Sequence, residues 1–280
     1  MQTILSPATL VIIRYNASAN RSLWRKLYDD MLLYSQRQLP LCCRKDWRKS
    51  PFHPAADATG KIEIVDDAVD IVCPVYAVEL PFMVVDFMKK ADIKTDYFFF
   101  ILTCGYGYEV SLGHAEVAAR ERGWDIKYGN GVFMVDNYLP FFDMVEELSK
   151  LPGKNVEGQL DAICADIQAR KERRVSLTPE LEEQMAFYHK THAPKVINKN
   201  MALDYTVNDD CIRCGICAKV CPANNITVTE DGVCFSDHCE VCYACLHNCP
   251  KHAFHLPKEA GTKQFRNEYV TLADIIKSNE

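Results

Sequence analysis

The sequence has no excess of positive charge and no long apolar run, and each absence excludes a function. Lys and Arg number 32 against 38 Asp and Glu in 280 residues, a net charge of -6, which gives no general case for nucleic-acid binding. The apolar run near the start, Thr9 to Ile13, is too short to span a bilayer. No basic stretch precedes Ala17-Ser18-Ala19, and Arg14 interrupts the approach, so this small-residue stretch does not read as a secretory cleavage site and the chain is expected to be cytoplasmic. No Ser-His-Asp, Cys-His or paired-carboxylate arrangement stands out by spacing. Framework-like spacing is missing from Cys42, Cys43, Cys73, Cys104, Cys164 and Cys234, which argues against disulfides. Cys234 reads as an ordinary strand residue. His189, His192, His238, His247, His252 and His255 read as surface or packing residues, with His238 and His247 at most hydrogen-bonding near a metal centre.

What is present is a repeat. Cys211, Cys214, Cys217, Cys221 and Pro222 recur 28 residues later as Cys239, Cys242, Cys245, Cys249 and Pro250. Each run reads C-x-x-C-x-x-C-x-x-x-C-P, in which three close thiolates grip one [4Fe-4S] cube and the fourth crosses to the other. Iron takes soft thiolate ligands, and a cube needs four of them at tetrahedrally disposed corners. By that logic Cys211, Cys214, Cys217 and Cys249 hold one cluster, and Cys239, Cys242, Cys245 and Cys221 hold the other. Structural zinc is the alternative, but it usually takes two separated C-x-x-C knuckles. Each proline follows a crossing cysteine and turns the chain away, having no N-H to continue a helix.

Cysteine density changes abruptly near residue 203, which predicts two domains with separate cores. Residues 203 to 257 hold few large aliphatic side chains, so the clusters supply much of that module's cohesion and the apo form is expected to lose its fold. The stretch is acidic through Asp204, Asp209, Asp210, Glu230, Asp231, Asp237 and Glu240, a complement to redox partner proteins with basic faces.

Before it, strands and helices alternate as in an open parallel sheet. Thr9 to Ile13, Ile71 to Cys73, Tyr97 to Leu102 and Gly131 to Val135 are the predicted strands. Leu23, Leu27, Met31 and Tyr34 mark a helix after Asn20; Pro81 opens a second through Phe82, Val85 and Met88; Glu109 to Arg122 is a third, ended by Gly123. Leu160, Ile163 and Ile167 stripe a short helix ahead of Arg170. Another is expected around Pro179 to His189, and a capping helix from Thr271 to Ser278. Arg37, Arg44, Lys45, Arg48 and Lys49, with Trp47 among them, show no strand alternation and read as a solvated loop face. A sheet of this kind places ligands beyond the carboxyl ends of its strands, at the loops after Ile13, Cys73 and Leu102.

The doubled cysteine run, with Pro74-Val75-Tyr76-Ala77 and Thr103-Cys104-Gly105, makes the chain resemble bacterial 2[4Fe-4S] ferredoxins that carry an N-terminal flavodoxin-like domain. The resemblance implies an α/β fold: a flavodoxin-like open parallel sheet over 1-175, a linker over 176-202, a small α+β ferredoxin domain over 203-257 and a tail over 258-280. It implies low-potential electron transfer through two [4Fe-4S] clusters, with flavin mononucleotide (FMN) as a further cofactor contacted by Ser18, Asn20, Tyr76, Ala77, Thr103 and Gly105. The phosphate loop departs from the family pattern, since Asn16-Ala17-Ser18-Ala19-Asn20-Arg21 has Ala19 where a glycine belongs, and a Cβ there weakens the backbone cradle. An electron carrier is the leading reading. A flavin-dependent reductase of a small substrate and a binding module with structural clusters are the alternatives.

Overall fold

A computed structural model describes residues 3–5, 11–15, 62–267 and 270–279. The expected phosphate loop with Ser18 and Asn20, the helix after Asn20 and the basic segment 37 to 60 lie outside the described residues.

The strands β1 (Thr3–Leu5), β2 (Val11–Tyr15), β3 (Ile62–Val65) and β4 (Ala68–Pro74) come first, followed by helix α1 (Phe82–Lys90), β5 (Ala91–Lys94) and β6 (Tyr97–Cys104). Helix α2 (Glu109–Glu121) leads to β7 (Ile126–Phe133). The main sheet has the order β1-β2-β4-β6-β7, while β3 and β5 form a separate parallel pair. β4, β6 and β7 run parallel, Ile71 facing Phe100 and Phe100 facing Gly129. All residues of β4 and β6 are buried, which explains why both read as continuous apolar runs: a parallel strand is covered on two faces.

The sheet departs from the expected parallel arrangement at its other side. β2 is antiparallel to β4, with Val11 opposite Val72 and Tyr15 opposite Ala68. Its carboxyl end therefore lies at the amino ends of the parallel strands, so the loops after the first strand, Cys73 and Leu102 do not share an edge. The predicted strand Gly131 to Val135 is also displaced. The strand begins at Ile126 and runs through Gly129 and Gly131, two glycines that break the side-chain alternation from which a strand is read. At Gly131 a Cβ would stand 2.1 Å from the Tyr108 ring, so this glycine admits the ring against the sheet.

Helices are closer to expectation. Pro81 precedes α1 and Gly123, at φ +73°, follows α2. Helix α3 (Met144–Lys154), which the sequence reading did not anticipate, is capped by Asp143, whose carboxylate accepts from the N-H groups of Val145 at 2.8 Å and Glu146 at 3.1 Å. Helices α4 (Val156–Gln168) and α5 (Pro179–Thr191) follow, then the short α6 (Ala193–Val196).

The cysteine-rich module contains β8 (Thr206–Val207), α7 (Ile216–Lys219), β9 (Ile226–Val228), β10 (Val233–Phe235), α8 (Ala244–Asn248) and β11 (Phe254–His255). Its core is shared with part of the sheet half, which also has a core of its own around Val69, Phe98 and Leu112. Tyr76, Val135, Tyr138 and Met144 from the sheet half pack in one buried cluster with Ile197, Val220, Tyr243, Leu246 and Phe254. Phe265, Val270 and Ile275 of the tail close it, Ile275 from helix α9 (Leu272–Ser278) with its Thr271–Asp274 capping box. A module poor in large aliphatic residues completes its core by borrowing from a neighbour.

Candidate functional site

The repeat in sequence is a pseudo-two-fold in space. β8 of the first repeat pairs with β11 of the second, and β9 of the first with β10 of the second. The pair Phe254–Val207 is matched by Ile226–Phe235, each residue displaced by 28 positions. Backbone angles repeat likewise: Arg213 and Val241 have φ of +53° and +56°, Gly215 and Tyr243 +75° and +57°, Asn224 and His252 +52° and +51°. Left-handed residues after the first and second cysteines let a seven-residue loop curl so that its thiols converge.

Intertwined strands bring the fourth cysteine of each run to the other loop. Cys211, Cys214, Cys217 and Cys249 line one apolar cavity together with Val228, Val233 and Phe254. Burial foremost pushes the Cys217 thiol up to about 11, and Cys214, Cys211 and Cys249 add to it. Cys239 is likewise pushed to about 11, by burial and then by Cys221 among other groups. Cys242 and Cys245 lie well above the ordinary thiol value, raised by burial and then by charges that include Cys221 and Cys239. Cys249 thus stands with the first three thiols, while Cys221 acts on Cys239, Cys242 and Cys245, and Cys217 also acts on Cys245. Buried thiols with such high pKa values stay neutral unless a cation binds them, since coordination deprotonates a thiol outright.

Three sulfurs already receive backbone donors: Asn225 N-H to Cys221 Sγ at 3.2 Å, Ala253 N-H to Cys249 Sγ at 3.3 Å, and Val241 N-H to Cys239 Sγ at 3.3 Å. The first two are again 28 residues apart. Eight soft donors, apolar walls and N-H groups aimed at sulfur fit an iron-sulfur cube. Among the described residues no group of three or more His, Cys, Asp or Glu is arranged to hold a single metal ion. The thiols round one zinc, bonded at about 2.3 Å, stand closer together than those round a cube.

Backbone groups hold both ring nitrogens of His247. It is fully buried, its Nδ1 accepts from Phe265 N-H at 3.2 Å, and its Nε2 donates to Asn137 O at 3.3 Å. It braces the tail and the sheet half against α8. Glu240 makes a second brace, accepting from Met83 N-H at 3.2 Å at the start of α1; burial pushes its carboxyl up to about 7.

A second feature lies at the carboxyl ends of β4, β6 and β7. A cavity of about 290 Å³, at the small end of the range of ligand pockets, is bordered by Val78, Gly105, Tyr106, Asp136, Tyr138 and Phe142 among others. Of the four expected flavin contacts described here, Ala77 and Gly105 line it. Tyr76 instead turns into the shared core, and Thr103 is buried in its strand, its carbonyl accepting from Val75 N-H at 2.9 Å. Ala77 and Val78 form a tight turn with φ of +50° and +63°, closed by reciprocal bonds of 3.0 and 2.9 Å between Tyr76 and Glu79. A β-branched residue in that region is a strained outlier of the kind that marks ligand clamps.

The cavity's aromatic wall is held in place by α3. Tyr106 stacks on Phe142 with centroids 5.2 Å apart, and its hydroxyl donates to Glu147. Glu147 is buried, yet Lys150, Tyr106 and Lys154 outweigh the burial that raises its carboxyl and hold it below the usual value. Lys154 Nζ donates to Gly105 O at 2.9 Å, which ties the loop after β6 to the helix. The loop tyrosine Tyr106 lines the cavity as its place after the strand suggests, whereas sequence reasoning missed Asp136, Tyr138 and Phe142 as wall residues; the aromatic-rich stretch Tyr138 to Phe142 was the available signal.

Residues 205–227 match the family model of the 4Fe-4S binding domain. That span holds the first cysteine run and supports at least one [4Fe-4S] cluster and an iron-sulfur electron-transfer role. No curated protein and no solved structure matches the chain. Among the described residues no helix is long and apolar enough to cross a membrane.

Proposed function

We propose that the protein relays single electrons through two [4Fe-4S] clusters, one on Cys211, Cys214, Cys217 and Cys249, the other on Cys239, Cys242, Cys245 and Cys221, and that redox proteins are its partners. The observation that supports this reading is the cavity that Cys249 lines with Cys211, Cys214 and Cys217, together with the equivalent left-handed turns and strand pairs 28 residues on. Cubes supply reversible one-electron chemistry at potentials set by hydrogen bonds to sulfur and by solvent exposure. The chain's residues act on both: the N-H groups of Asn225, Val241 and Ala253 favour the anionic sulfurs, and Val220, Ile226 and Phe254 exclude water.

The test is the composition of protein purified without oxygen. About eight irons per chain, matching acid-labile sulfide and a paramagnetic signal on dithionite reduction are expected. A stable zinc protein without sulfide overturns the reading.

The cavity favours a second reading that extends the first, in which a flavin ring lies between Ala77, Gly105, Tyr106 and Phe142 and the chain is a flavin-dependent reductase. Flavin released into the supernatant on denaturation, or FMN taken up on titration, is expected. Protein that holds no flavin and binds no added FMN ends this reading.

A further inference from the structure

Resting on the two-centre reading above, we infer that the cysteine sets have different directions: the Cys239 set faces inward and is coupled to the aromatic cavity through Tyr243 and Tyr138, while the Cys211 set is the outer terminal, where a soluble one-electron partner exchanges electrons. The pseudo-two-fold makes the asymmetry visible, because equivalent positions differ in exposure. Ile212 is 59% exposed and its counterpart Glu240 6%. Arg213 is exposed and Val241 fully buried; Cys214 is exposed and Cys242 buried. The first loop opens to solvent, and the second is packed against the sheet half.

The decisive pair is Gly215 and Tyr243. Both positions require a left-handed backbone, φ +75° and +57°, which glycine adopts freely and a bulky residue does not. The first run has the glycine. The second keeps a tyrosine in a disfavoured conformation, between Cys242 and Cys245 in sequence. Its buried ring lies 5.7 Å from that of Tyr138, which borders the cavity, and 6.4 Å from Tyr205, stacked at 26°. Continuous aromatic packing thus joins the second thiol set to the cavity wall, and nothing equivalent can stand at Gly215. Exchange at the outer terminal moves one electron at a time: the partner loses what the outer centre gains, or the reverse, with no bond made or broken.

The test follows each centre by electron paramagnetic resonance during a redox titration of the whole anaerobic protein, with and without the paramagnetic relaxant tris(oxalato)chromate. One centre is expected to be relaxed strongly by the chromate and the other weakly. Lys251→Glu, at the rim of the Cys211 cavity, is expected to lower the potential of the chromate-sensitive centre alone. Tyr138→Leu, which lets water towards Tyr243, is expected to raise the potential of the shielded centre alone, and Tyr138→Phe to restore it. Equal relaxation of both centres, or either substitution acting on the opposite centre or on neither, overturns the inference. Spin counts of fewer than two centres per chain defeat instead the two-centre reading on which it rests.

Discussion

Replacing Gly105 by alanine tests whether the cavity's entrance is built by close backbone approach. A Cβ at Gly105 would stand 2.3 Å from Asp136 Cβ and 2.5 Å from its Oδ2. The nearest obstacle is attached directly to the Asp136 backbone, so rotating the carboxylate cannot clear it and the 134–136 segment must move. Overpacking of this kind costs roughly 1–3 kcal/mol. Moving Asp136 also strains the bond its Oδ1 accepts from Tyr138 N-H at 3.1 Å, worth about 1 kcal/mol. The expected loss is therefore about 2–4 kcal/mol, or roughly 4–16 °C in the melting midpoint at some 2–4 °C per kcal/mol. Gly107 is the control two residues away, because its Cβ would meet nothing nearer than Glu109 Oε2 at 3.6 Å, and Gly107→Ala is expected to stay within about 0.5 kcal/mol. Anaerobic melts of both variants, followed by far-ultraviolet circular dichroism, make the comparison. Equal midpoints would refute the claim that Gly105 is kept for the approach of Asp136.

On the proposed crossed ligation, Cys221→Ser is expected to damage the centre of the Cys239 set and Cys249→Ser that of the Cys211 set, each lowering iron from about eight towards about four per chain; iron analysis with resonance spectra of the surviving centre checks which set is lost. Stripping iron with a chelator under reducing conditions is expected to abolish amide-exchange protection in residues 203 to 257 while the β4–β6 strands, buried without metal, keep theirs. Burial holds His114 below its ordinary pKa of 6.5 against the opposing charge of Glu79, 3.4 Å away. The folded state therefore binds this proton less readily than the unfolded chain, so stability is full above about 6.5 and falls as pH drops below it. His114→Gln is expected to flatten that slope in denaturant titrations across pH 5 to 8. Tyr106→Phe removes a donor from buried Glu147 and is expected to cost about 1–3 kcal/mol in the same titrations.

The helices and the inner strands could be read from the chain because their signals are local. Pro81, Gly123 and the Thr271 cap act within one turn of the helices they bound, and Tyr97–Cys104 is apolar throughout because both its faces are covered. The cysteine run was legible for the same reason, since three ligands within seven residues impose their own spacing. Strand direction was not. The reversal of β2 depends on what it pairs with, because parallel and antiparallel ladders differ in their hydrogen bonds to the neighbouring strand and not in anything local to one strand. Nor could the chain alone reveal that Tyr76 leaves the cavity for the core, or that Tyr138 and Phe142 take its wall, because those places follow from how α3 and the cysteine-rich module pack.

The sequence by itself determined the repeat and the chemistry of its donors, both of which follow from spacing along one strand of chain. Only the tertiary structure decided that two equivalent loops have different surroundings, one open to water and one set against the sheet half. Symmetry in sequence persists through local backbone geometry, as the matching left-handed residues show, whereas burial depends on a neighbour that only one side of a two-fold can touch.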